Sequence, residues 1–100
     1  MLSTEYSNNA KVYMQLANIS DMKGERSKAA LLYKKSLTLA PNDAVAHYNY
    51  SVFLERNGKV EEAIHHLKLA VRINNDWDMP KMALERLSGK RRTQESGRSD

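Results

Sequence analysis

The sequence predicts an all-α fold made of repeated helix pairs, and three observations predict it. Residues recur at a fixed spacing of 34: Ala10 with Ala44, Gly24 with Gly58, Ala29 with Ala63 and Lys34 with Lys68. The same shift sets Leu16 against Tyr50, Ala17 against Ser51, Ile19 against Phe53, Tyr33 against Leu67, Ser36 against Ala70 and Leu37 against Val71. Within each period the apolar and small residues fall at helical spacing, and a glycine separates two such stretches.

The elements follow in order. Tyr13, Leu16, Ala17 and Ser20 make the packing stripe of a first helix over 9–22. Gly24 follows where a left-handed C-terminal residue is wanted. Ala29, Ala30, Tyr33, Ser36, Leu37 and Ala40 give the stripe of a second helix over 26–40. Pro41-Asn42-Asp43 stops it and offers an Asx cap to a third helix over 43–57, with His47, Tyr50, Ser51 and Leu54 as its stripe. Gly58 then repeats the role of Gly24. Val60, Ala63, Ile64, Leu67, Ala70 and Val71 line a fourth helix over 60–74, and Leu84 and Leu87 are the buried side of a fifth over 77–88. The small residues have a packing role: Ala17 and Ser51 should face Ala29 and Ala63, while Ser36 and Ala70 leave room for the next helix. From Gly89 onward, Lys90-Arg91-Arg92 and the polar residues after them predict a solvated, disordered tail.

Composition narrows the function classes. One hundred residues suit one domain. There is no cysteine, which removes disulfides, thiolate metal sites and thiol nucleophiles. Neither a membrane-length apolar run nor a secretory leader is read, so a cytoplasmic setting is expected. Residues 1–89 hold twelve Lys/Arg and ten Asp/Glu, so half of the net charge of +4 sits in the tail. That near-balance gives no broad field for steering polyanions.

These residues resemble the tetratricopeptide repeat family. Counting from Ala10 and Ala44, the family's large fourth residue is Tyr13 and His47, and its Leu-small pair is Leu16-Ala17 and Tyr50-Ser51. Its turn glycine is Gly24 and Gly58, its alanine Ala29 and Ala63, its later large residue Tyr33 and Leu67, and its small residue Ser36 and Ala70. Pro41 closes the first repeat. Asn75 replaces the second closing proline, and His47 stands where tryptophan is usual. The resemblance implies a right-handed superhelix of antiparallel helix pairs, an α-solenoid of about five helices. Its segments would be an N-terminal extension over 1–8, repeats over 9–43 and 44–77, a capping helix over 78–88 and the basic tail over 89–100. Two repeats and a cap are near the minimum for a continuous core, which points to self-association or to a longer array.

The resemblance further implies that the first helix of each repeat lines a concave, peptide-binding surface. The places so implied are Met14, Asn18 and Met22 in the first repeat, Val45, Tyr48, Asn49 and Val52 in the second, and Met79 and Met82 on the cap. Four of the five methionines fall in this set, and methionine suits adaptable binding surfaces. Asn18 and Asn49 match the asparagines of the family's carboxylate clamp. Met14, Met79 and Ala83 occupy the clamp's basic positions, so its charge-assisted bonds are missing and the clamp is rejected.

Other chemistry finds little support. Adjacent His65 and His66 point about 100° apart on a helix, share an ion poorly and read as partly exposed helical histidines, while His47 lies on the packing stripe of a different helix. No metal or cofactor is expected. No nucleophile elbow, phosphate loop or placed carboxylate pair is present, so no enzyme is expected. The expected function is a protein-interaction scaffold or adaptor whose partner is a peptide or helix of another protein. Two alternatives rank below it: a self-assembly domain with the groove filled by a second copy, and an adaptor touching nucleic acid or an anionic surface through Lys90, Arg91, Arg92 and Arg98.

Overall fold

In the computed structural model, the described residues are 9–99, with side chains described through 89. They form five helices and no strand: α1 (Ala10–Met22), α2 (Arg26–Leu39), α3 (Ala44–Arg56), α4 (Val60–Ile73) and α5 (Asp78–Ser99). The chain divides into two compact units, with the division between Ala46 and His47.

In the first unit, Asn9 caps α1, its Oδ1 accepting from the backbone N–H groups of Lys11 at 3.1 Å and Val12 at 3.3 Å. The helix ends in a Schellman arrangement. Glu25 N–H donates to Ser20 O at 2.9 Å and Gly24 N–H to Asp21 O at 3.0 Å, with Gly24 at φ +84. The chain then turns back and α2 packs on α1. Ala17 and Ala29 have no exposed surface, and Tyr33 and Ser36 are buried with them. The Ser36 hydroxyl donates to Ala10 O at 2.8 Å, which satisfies the buried oxygen and ties the end of one helix to the start of the other. Leu16, assigned to the packing stripe from spacing, is instead exposed. It stands one position from Ala17, about 100° round the helix, and α2 covers the Ala17 side.

In the second unit the same turn recurs after α3. Lys59 N–H donates to Leu54 O at 2.9 Å and Gly58 N–H to Glu55 O at 3.0 Å, with Gly58 at φ +79. The N-terminal turn of α3, which belongs to the first unit and is reached through Pro41-Asn42-Asp43, is capped by Asp43 Oδ1, which accepts from Val45 N–H at 3.0 Å and Ala46 N–H at 3.2 Å. Tyr50, Phe53 and Leu54 from α3 are buried, as are Ala63, Ile64, Leu67 and Ala70 from α4 and Leu87 from α5. Ser51, buried with them, donates from Oγ to Tyr48 O at 2.6 Å.

One sequence expectation needs correction here. The last helix does not stop near Ser88: its backbone is helical through Ser99, across the stretch expected as a disordered tail. Gly89 takes no left-handed φ and so does not act as a stop, and the Lys, Arg, Gln and Glu residues beyond it are good helix formers. His47 is buried, in keeping with its place on the packing stripe, and it pairs with His66 across α3 and α4. Their Nδ1 atoms are 2.9 Å apart with the rings stacked at 5.1 Å, so one nitrogen donates and the other accepts. His65 is exposed. The expected extension over 1–8 lies outside the described residues. Among the described residues no helix is long and apolar enough to cross a membrane.

Candidate functional site

The second unit carries an open groove of about 490 Å³ between α3 and α5, lined by Tyr48, Met79, Met82, Ala83, Glu85 and Arg86. Local sequence explains why α5 stands at this place. Asn74 Oδ1 accepts from Asp76 N–H at 3.2 Å and Asn74 O accepts from Trp77 N–H at 3.4 Å, closing a turn without the expected proline. Trp77 then lies tilted against Tyr48, with ring centroids 5.2 Å apart. Pro80 sits in the first turn of α5, where its missing N–H costs no helical bond, and it is fully buried. Pro80 and Leu87 hold one side of α5 inward. Met79, Met82, Ala83 and Arg86, at i, i+3, i+4 and i+7, form the side toward the groove.

Along α5 the groove wall runs from apolar Met79, Met82 and Ala83 to charged Glu85 and Arg86. Met79 is 50% exposed and Met82 66% exposed, while Tyr48 is half-buried. Arg86 makes a two-pronged ion pair with Glu55 of α3, at 2.6 Å from Nη1 and 3.1 Å from Nη2. That hydrogen bonding, above all, holds the guanidinium more firmly protonated. Glu85 supplies a carboxylate beside the pair.

Of the site residues expected from sequence, Tyr48, Met79 and Met82 meet in this groove. Asn49 and Val52 lie half-buried on the same helix as Tyr48 but are not among the groove walls. Met14, Asn18, Met22 and Val45 belong to the first unit. There Met22 is 86% exposed, Val45 is exposed and Met14 half-buried. Asn18 is exposed, and its carboxamide oxygen accepts from the hydroxyl of Tyr33. Sequence reasoning missed Glu85 and Arg86. The spacing from Met79 to Arg86 was a usable signal, but a lone arginine near a basic tail reads as solvated until Glu55 is seen to face it.

The histidine cluster is a second concentration of titratable groups. His66 is held down at about 4, first by burial and then by His47 and His65. Tyr50 packs edge-on to it at 4.8 Å. Among the described residues no group of three or more His, Cys, Asp or Glu is placed to hold a metal ion.

Two family models match this chain, both for the tetratricopeptide repeat. One covers residues 10–43 and the other residues 32–65. The first window begins with α1 and runs through α2 to Asp43. The second begins inside α2 and ends inside α4, because a periodic chain has no unique starting frame. A comparison with curated proteins returned no match. The two windows together span more than half of the 100 residues, over the 34-residue recurrence, the paired Schellman turns and the buried alanines, and the chain belongs to the tetratricopeptide repeat family.

Proposed function

We propose that this chain is a docking module that holds a peptide or helix of another protein in the groove between α3 and α5. Repeats of this family mediate protein–protein interaction, which sets the class of ligand. The observation that carries the reading is the pair of exposed methionines on α5 facing Tyr48. Exposed apolar side chains lining one concavity favour burial against a guest, and methionine adapts its shape to the guest. The groove volume is in the range of natural ligand sites. At its end, Arg86 and Glu85 offer a donor and an acceptor to polar atoms flanking the guest's apolar anchor. Asn49 and Val52 on α3 are proposed as secondary contacts. In the first unit, Met14, Met22, Val45 and the NH₂ edge of Asn18 are proposed contacts of the same kind. No catalytic step is proposed.

Photocrosslinkers placed at Met79 and Met82, with Lys68 on α4 as the control, test this reading. A partner protein captured at both methionines and not at Lys68, with Met82→Glu weakening its binding roughly tenfold or more, is the expected result. If Met79→Glu and Met82→Glu both leave that partner's affinity unchanged, the groove is not the site. Sedimentation at several concentrations identifies a second copy as the occupant if Met82→Glu suppresses a rise in mass.

A further inference from the structure

The chain holds eight asparagines, and only Asn57 is followed by glycine. That pair, Asn57-Gly58, forms the turn between α3 and α4. Glycine has no Cβ, so its backbone nitrogen has an unobstructed approach to the side-chain carbonyl carbon of the residue before it. Gly58 is exposed, with nothing within 4 Å of a Cβ placed there, so water reaches the turn.

The fold holds both reacting groups in hydrogen bonds. Asn57 Nδ2 donates to Phe53 O at 2.8 Å, which draws the carboxamide back over the last turn of α3. Gly58 N–H donates to Glu55 O at 3.0 Å, and an amide nitrogen attacks only once it has lost that proton. Ring closure between the two groups therefore requires the turn to open. The first repeat makes the same turn with Lys23 in place of Asn57. Lys23 N–H donates to Ile19 O and Ser20 O, as Asn57 N–H donates to Phe53 O and Leu54 O. The backbone at this place does not need asparagine.

We propose that Asn57 is a self-modification site, deamidated by the chain's own backbone when the α3–α4 turn opens, with water as the only co-reactant. The deprotonated Gly58 nitrogen forms a bond to Asn57 Cγ. The Cγ–Nδ2 bond breaks, and ammonia leaves with the proton that the nitrogen gave up. Water then opens the cyclic imide at one of its two carbonyl carbons, breaking that carbon's bond to the Gly58 nitrogen. Opening at Cγ leaves aspartate. Opening at the main-chain carbonyl leaves isoaspartate, in which the backbone runs through Cγ and is longer by a carbon. Either product replaces an N–H donor with a carboxylate that faces Phe53 O at the negative end of the α3 dipole. Isoaspartate also shifts Gly58 and Lys59 out of register with Glu55 O and Leu54 O. The change is one-way, and only the second repeat undergoes it. No guest takes part, so this reading and the groove can fail separately.

The full chain, incubated in native buffer and in urea at neutral and at mildly alkaline pH, tests the proposal. Released ammonia reports the overall rate. Peptide mapping with electron-transfer fragmentation locates the exchange of NH₂ for OH and separates aspartate from isoaspartate. Asn57 is expected to convert ahead of the other asparagines, to both products, and faster at the higher pH. Conversion in urea should outpace that in native buffer roughly tenfold or more, because the folded turn opens only part of the time. Asn57→Asp, which copies one product, should lower the melting midpoint more than Asn57→Lys, which copies the first repeat. Equal rates in native buffer and urea overturn the proposal, as does earlier conversion of another asparagine. Conversion in urea alone overturns it too, since the turn then does not open in the folded chain. A midpoint for Asn57→Asp no lower than that for Asn57→Lys overturns the effect on the turn.

Discussion

The two repeats share a backbone plan and spend their side chains differently. Both turn through a left-handed glycine and both seat an alanine without exposed surface at the same place, Ala29 and Ala63. Around that shared frame, the first repeat has Tyr13 and Leu32 where the second has the His47–His66 pair, and leaves Leu16 and Ile19 exposed where the second buries Tyr50 and Phe53. Backbone turns and helix contacts demand particular residues. The outward faces are decided by what lies against them, and there the repeats diverge.

The sharpest way to break this comparison is to truncate equivalent residues. Phe53→Ala removes a buried ring and should cost about 3–5 kcal/mol in chemical denaturation. Ile19→Ala, at the matching but exposed place, should cost about 1 kcal/mol or less. Equal losses would show that Ile19 is covered in solution. Next in size, Ala63→Leu should cost about 1–3 kcal/mol by overpacking, with Ala29→Leu close to it. An unchanged melting midpoint in either would contradict the close helix approach.

The turns should behave alike. Nothing lies within 4 Å of a Cβ placed at Gly24 or Gly58, so Gly24→Ala and Gly58→Ala should each cost only the left-handed backbone strain, about 1–2 kcal/mol. Thermal unfolding of the two variants checks that equality.

A further contrast separates the repeats by pH. His66 has its pKa lowered from 6.5 to about 4, so the unfolded chain binds more protons in that interval. Its contribution to stability is therefore complete above pH 6.5 and is lost as the pH falls toward 4. His66→Leu, which installs the residue found at position 32, should flatten the melting midpoint across that interval.

Much of the fold was legible because its determinants are local. A glycine after a helical stripe, an aspartate before one and small residues every 34 places specify turns, caps and close contacts. The candidate groove was legible in part: Tyr48, Met79 and Met82 were expected from the family's geometry and line it together, whereas Arg86 depended on a carboxylate 31 residues away. Leu16 was misjudged because helical spacing tells which residues share a face and not whether anything covers that face.

The sequence by itself therefore determined the five helical segments, the two left-handed turns and the alanine contacts, since each follows from backbone sterics or from volume at one position. Only the tertiary structure decided that α5 continues past Gly89, that His47 and His66 share a hydrogen bond, and that Leu16 and Ile19 stay exposed while Tyr50 and Phe53 do not. The last two outcomes depend on which residues distant in the chain come to lie beside a given face, and Gly89 stops a helix only if its φ turns positive; residue type and spacing leave both open.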